Sequence, residues 1–268
     1  MSRGLAIGLA AGALLVSFHA RARTLDQIIA SKKIVVGIDP NLPPLGTYDE
    51  KNNIDGFDVY IADKLAQALG VQLDIVPVSS NARVLFLMTD KIDAVMGGMT
   101  RNAERLKVID FTDPVNTEVL GVLTTRDKPY QNYLQLNEPS VRLVQVRGTT
   151  PIRLIHEQLP KAQLLLLDNY PDAVRAIAQG RADALIDVLD FMLTYTRNYP
   201  TQWRLVATPI EVDYDCIGVR KGNTALTARL NTEIAKLHQS GFVAASWKHW
   251  FGGPMLYDPT AAAPSATR

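Results

Sequence analysis

The chain reads as an α/β protein built from two units, and three patterns say so. Apolar or β-branched runs alternate with helix-periodic segments from residue 33 onward, this order gives way to an irregular polar segment through Pro139, and it restarts at residue 141. An ordinary apolar and charged content over 268 residues is enough to bury a sizeable core. Parallel sheets covered by helices take ligands beyond the carboxyl ends of their strands, so function is to be sought in the loops there.

Residues 1–22 stand apart. Arg3 gives a basic start, residues 5–18 are apolar and rich in small side chains, and Ala20-Arg21-Ala22 has the small-x-small form of a signal-peptidase site. The run is short for a bilayer span. Export is expected, with a mature chain from Arg23, and loss of Arg3 and Arg21 takes the formal charge from +1 to −1. No cysteine adjoins the cleavage site, so a free periplasmic protein without a lipid anchor is expected. Dispersed Lys and Arg give no electrostatic footprint for nucleic acid or an anionic membrane.

In the first unit, 33–38 is a β-branched strand stopped by Asp39-Pro40, and 41–50, with two prolines and Gly46, is a loop. Apolar residues recur at helical spacing over 59–69 and Gly70 closes that helix. A strand over 71–78 and a helix over 83–89 lead to a short apolar strand at Ala94-Val95-Met96. This β-α-β-α-β order brings 39–45, 79–81 and 97–100 to one edge. Along 93–114, Gly97-Gly98 permits close backbone approach, Thr100 offers a hydroxyl, and a short helix from Asn102 returns Arg105 one turn later. Together these make a small anion site; an arginine that is merely solvated or paired at the surface fits the same spacing.

The second unit opens with a strand at 119–125. After the irregular segment come a strand at 141–146, a helix at 151–159, a strand at 163–167, a helix at 171–179, a strand at 182–186 and a helix through Asn198. Thr150 suits a helix cap and Pro151 the first helical position, so Gly148 and the amides after it form either a second anion cradle or an ordinary capped helix. A strand at 212–220, a helix at 226–237 and an aromatic-rich end at Trp247, Trp250 and Phe251 close the fold. Residues 258–268 read as a disordered tail.

Catalytic and metal chemistry find little support. Cys216 is the only cysteine and sits in an apolar strand, His156, His238 and His249 lack metal-ligand spacing, and no nucleophile elbow, Walker loop or dinucleotide fingerprint occurs. No cofactor is expected.

The ordered motifs Val35-Val36-Gly37-Ile38-Asp39-Pro40, Gly56-Phe57-Asp58, Lys91-Ile92-Asp93-Ala94-Val95, Glu104-Arg105 with Asp110-Phe111-Thr112-Asp113-Pro114, Gly180-Arg181-Ala182-Asp183-Ala184 and Lys248-His249-Trp250-Phe251-Gly252 resemble a known family. It is that of the extracellular solute-binding proteins of polar amino-acid ABC transporters, family 3. The resemblance covers nearly all of the mature chain. It implies a two-lobed periplasmic binding-protein fold with two hinge crossings: lobe 1 from 23–118 and 213–257, lobe 2 from 119–212, after a signal peptide at 1–22. It further implies a monomer that is not an enzyme, capturing a small carboxylate-bearing solute, foremost an amino acid, for an inner-membrane ABC permease.

By the same resemblance Arg105 clamps the ligand carboxylate with Thr100 and Gly98, and Gly148, Thr149 and Thr150 meet it from lobe 2. Two departures stand out. The aromatic wall after the first strand is replaced by Leu42 and Leu45, and the aspartate that pairs with the ligand ammonium is replaced by Val188, with Asp187 one place early and Asp190 two places late. A local bend at Asp187 restores an ammonium partner; without one, a carboxylate lacking an α-amino group is the expected ligand. Asp39, Ser80 and Arg83 are further candidates for the ligand side chain, and Asp213 is another acid at the cleft edge. Two other readings use the same scaffold: a cyclohexadienyl or arogenate dehydratase, with Glu104, Asp187 or Glu211 as general acid, and a receptor subunit serving a signalling partner.

Overall fold

In a computed structural model, residues 23–196, 199–206 and 209–260 are described. The expected signal peptide and most of the expected tail lie outside them. A capping box at Thr24 starts helix α1 (Leu25–Ala30), which the sequence reading lacked, and β1 (Lys33–Ile38) follows. The loop expected at 41–50 contains β2 (Thr47–Tyr48), paired antiparallel with β3 (Ile54–Asp55). Helix α2 (Phe57–Leu69) ends on Gly70 in the left-handed region, as its position required. Then come β4 (Gln72–Pro77), α3 (Arg83–Met88), β5 (Ala94–Val95) and the single-turn α4 (Ala103–Leu106), capped by Asn102.

The largest departure from expectation is β6 (Ile109–Thr125), a 17-residue strand where only its second half was read. Pro114 hid it, because proline cannot donate to a sheet ladder. Pro114 is tolerated because it sits at a register irregularity opposite Cys216. Lobe 2 continues with β7 (Arg142–Val146), α5 (Pro151–Gln158), β8 (Gln163–Leu167), α6 (Tyr170–Ala178), β9 (Ala184–Val188), α7 (Leu189–Tyr195) and an unforeseen edge strand, β10 (Trp203–Val206). The return is β11 (Val212–Arg220), then α8 (Thr224–Gln239) and α9 (Phe242–Phe251).

Strand order is β4-β1-β5-β11-β6-β9-β7-β8, with β10 also on β6. On one side β1 runs parallel to β4 and β5; on the other β7 runs parallel to β8 and β9. The long strand joins them, since β6 pairs with β11 up to Val119 and with β9 from Leu120. Two antiparallel strands therefore cross between the halves, and Glu118 and Asp213 are register partners at that crossing. Aromatic rings tie the halves together: Trp247 stacks on Phe251 at 3.7 Å, and Phe251 meets Phe191 of α7 at 5.8 Å.

Candidate ligand-binding cleft

The loop after β5 is where lobe 1 meets the cleft. Gly97 and Gly98 take φ of 91° and 63°, a region that favours glycine, and so turn the chain sharply. The loop's backbone is then held by charged side chains from three other elements. Asp58 accepts the Gly97 amide at 2.6 Å, Asp215 accepts the Met99 amide at 2.7 Å, and Arg83 donates to the carbonyls of Ser80 at 3.1 Å, Gly98 at 2.8 Å and Gly97. Arg83 is only 2% exposed. Burial raises the Asp58 and Asp215 carboxyls, and each lies near enough to Arg83 to be pulled back down. Asp39 is likewise engaged, accepting from Ser80 at 2.7 Å and from the Asn41 amide at 3.0 Å.

Lobe 2 approaches through the turn after β7. Gly148 has φ of 81°, and a Cβ there would lie 2.7 Å from Asn81 Cα and 2.9 Å from the Ser80 carbonyl, so only a glycine lets the lobes touch here. Arg105 spans the same gap, donating to the Thr100 carbonyl at 2.7 Å and to the Gly148 carbonyl at 2.9 Å. Loss of water, then the like charge of Arg83, lowers its pKa to about 10, which leaves it charged at neutral pH. Arg83 and Arg105 are near enough to feel each other's charge, and together they favour an anion beside them.

The expected Thr150 cap does not form. Thr150 is already in the helical region at φ −65°, and its hydroxyl is buried without a hydrogen-bond partner, whereas the Thr149 hydroxyl donates to the Val146 carbonyl at 2.7 Å. At the end of β9, Asp187 accepts the Val188 amide on Oδ1 at 2.8 Å, while Oδ2 is buried with no partner. Burial pushes its pKa up to about 8, with Glu118 adding to the rise and the Val188 amide and Tyr170 side chain opposing it. On the hinge strands, Glu118 is raised by burial and by Asp215 and Asp213, and Asp213 is raised by burial to about 6, with its Oδ2 unpartnered.

These groups surround a cavity of about 20 Å³, room for little more than a water, so the lobes must part before a solute enters. Of the residues singled out from sequence, Leu42, Arg83, Gly98, Thr100, Thr149, Thr150, Asp187 and Asp213 line it. Arg105 and Gly148 are not part of the lining; Arg105 adjoins it through its bond to the carbonyl of Thr100, and Gly148 through its neighbour Thr149. Asp39, Ser80, Leu45 and Asp190 stand behind it: the first two bond each other, Leu45 is in the core, and Asp190 sits in the first turn of α7 with its pKa raised by burial to about 6. Val188 lines the wall beside Asp187, because the strand gives way to helix at that point. Glu118, Tyr170 and Phe191 line the cavity without having been singled out. The two rings give the cleft an aromatic side that Leu42 alone did not promise. An acid immediately before the apolar run 119–123 was the available signal for Glu118.

The family model of the bacterial extracellular solute-binding proteins, family 3, matches residues 34–253. The ABC transporter glutamine-binding protein GlnH of Bacillus subtilis is 29% identical over 87% of this chain and 86% of its own length. ABC transporter arginine-binding protein 1 of Escherichia coli is 27% identical over 91% and 98%. Among solved structures, the ancestral amino acid-binding protein AncCDT-1, a precursor of cyclohexadienyl dehydratase, superposes with a TM-score of 0.80 at 29% identity, covering 85% of this chain and 99% of that one.

Proposed function

The chain belongs to the bacterial extracellular solute-binding proteins of family 3, and from that premise we propose that it closes its two lobes around an amino acid outside the cytoplasmic membrane and delivers it to an ABC permease. The lobes are 23–118 with 213–257, and 119–212, and residues 1–22 direct export and are then removed. One observation carries the ligand reading: Asp187 Oδ2 and Thr150 Oγ1 are buried without partners at a cavity that Gly98 and Thr100 line from the opposite lobe. A buried acceptor left unsatisfied costs about 1–3 kcal/mol, which a bound ammonium or polar group relieves.

In this reading the ligand carboxylate lies near Arg105 and Arg83 with the Thr100 hydroxyl and the Gly148–Thr150 turn, displacing the Gly148 carbonyl from Arg105. Asp187 takes the ammonium in place of Val188. The bend that this requires is supported by the Val188 amide bonding back to Asp187 Oδ1 at 2.8 Å.

A thermal-shift panel of L-amino acids beside their keto and hydroxy analogues tests the proposal. The amino forms should raise Tm and the deaminated forms should not. Arg105→Ala should stay folded and lose the shift; an unchanged shift would sink the clamp. The absence of catalysis belongs to the same proposal, and it has a rival in the raised carboxyls of Glu118 and Asp187, which hold protons as a general acid does. Incubation with arogenate or prephenate should yield neither phenylalanine nor phenylpyruvate.

A further inference from the structure

We propose that the cleft selects an amino acid whose side chain carries a second positive charge, an inference that rests on the cleft being an amino-acid site. The buried acids around it fall into two sets. Asp39, Asp58 and Asp215 already accept hydrogen bonds from Ser80, from the Gly97 amide and from the Met99 amide. Their work is to hold the lobe 1 loops. Glu118, Asp187 and Asp213 line the cavity instead, and Glu118 meets the Thr100 hydroxyl, with Arg105 further off.

Among the described residues no Lys, Arg or His forms an ion pair with any of these three. Arg83 spends its hydrogen bonds on carbonyls, and so does Arg105. Asp187 is 2% exposed and Glu118 4% exposed, so bulk water does not solvate them. One oxygen of Asp187 and one of Asp213 are buried with no partner.

An α-ammonium on Asp187 supplies one charge and leaves Glu118 and Asp213 without an ion-pair partner, offset only by the more distant Arg105 and, for Asp213, Arg153. These two are register partners on neighbouring antiparallel strands, where side chains stand about 5 Å apart, so in the ligand-free cleft burial and each other's nearness favour keeping a proton there. A neutral ligand side chain leaves that state in place and an acidic one reinforces it, whereas a guanidinium or ammonium stabilises the carboxylate form and gains an ion pair. No group of three or more His, Cys, Asp or Glu among the described residues is arranged to hold a metal ion.

Calorimetric titration of the purified protein near neutral pH with L-arginine and L-citrulline tests this, because the two side chains match in length and differ in charge. Arginine should bind at least about tenfold more tightly. Glu118→Gln should narrow that preference to within about threefold, with citrulline binding retained and the ligand-free Tm unchanged or higher; Asp213→Asn provides the same readout should the first variant not fold. Citrulline or L-glutamine binding as well as arginine, or a preference that survives both substitutions, would overturn the charge selection while leaving the amino-acid reading standing. A folded protein that binds no L-amino acid would overturn both.

Discussion

In each lobe an Asp-Ala pair leads into a short strand whose far end reaches the cleft. Asp93 exchanges bonds with Val35, amide to carbonyl at 2.8 Å and amide to carboxylate at 2.7 Å, and pairs with Arg23. Asp183 does the same with Arg142, at 2.7 and 2.8 Å, and pairs with Arg142 and Lys128. Beyond that shared device the lobes diverge. The lobe 1 loop has its amides and carbonyls taken by Asp58, Asp215 and Arg83, whereas lobe 2 leaves Asp187 Oδ2 and Thr150 Oγ1 without a well-formed hydrogen bond, the Tyr170 side chain only easing the rise of the Asp187 pKa. One wall is fixed before the ligand arrives, and the other is completed by it. Pre-organising one side lowers the ordering cost of binding, and leaving the other short of partners concentrates the gain in the closed, liganded state.

Substitutions that act on one wall alone sharpen this contrast. The largest effect is expected from Arg83→Leu, which strips donors from three carbonyls and removes the cation that offsets Asp58 and Asp215. Urea unfolding should show a loss of about 3–5 kcal/mol; a loss below about 1 kcal/mol would mean that the loop is not held in this way. Gly148→Ala should act on closure. A Cβ 2.7 Å from Asn81 Cα cannot be accommodated with the lobes in contact, so ligand affinity should fall about tenfold while stability changes by only about 1 kcal/mol. Small-angle scattering should find the variant open at ligand concentrations that close the parent.

The smallest effect is a pH slope, and here the two kinds of acid separate. Asp187 moves from an ordinary 3.8 to about 8, so in that window the folded protein holds a proton that the unfolded chain releases, and ligand-free stability falls as pH rises. Asp183, drawn down to about 2 by Arg142 and Lys128 against its burial, behaves oppositely: its contribution is full above 3.8 and is lost as pH falls through about 2. Melting curves between pH 4 and 8 should therefore descend in the parent, descend less in Asp187→Asn, and keep the parent slope in Asp183→Asn.

Most of the scaffold was legible because it rests on local patterns. β1, β8 and β11 and the Gly70 helix stop follow from short β-branched or leucine runs and one left-handed glycine. The first half of β6 was not, since Pro114 reads as a strand breaker unless the partner strand's irregularity is known. The glycines and threonines of the cleft were legible through the family resemblance. Arg83, Ser80 and Asp39 were legible as residues near the cleft but not in their roles, because what each bonds to lies on another loop. Glu118 escaped for the same reason: its importance comes from standing opposite Asp213 across 95 positions of sequence.

Lobe 2 withholds a buried acid from the protein so that a ligand can use it. Asp187→Asn tests it when ligand-free Tm and the Tm shift with the parent's best L-amino acid are measured on the same sample. The ligand-free Tm at neutral pH should equal or exceed that of the parent, and the ligand-induced shift should be lost. A lowered ligand-free Tm with the shift retained would contradict it, and would make Asp187 one more structural acid like Asp183.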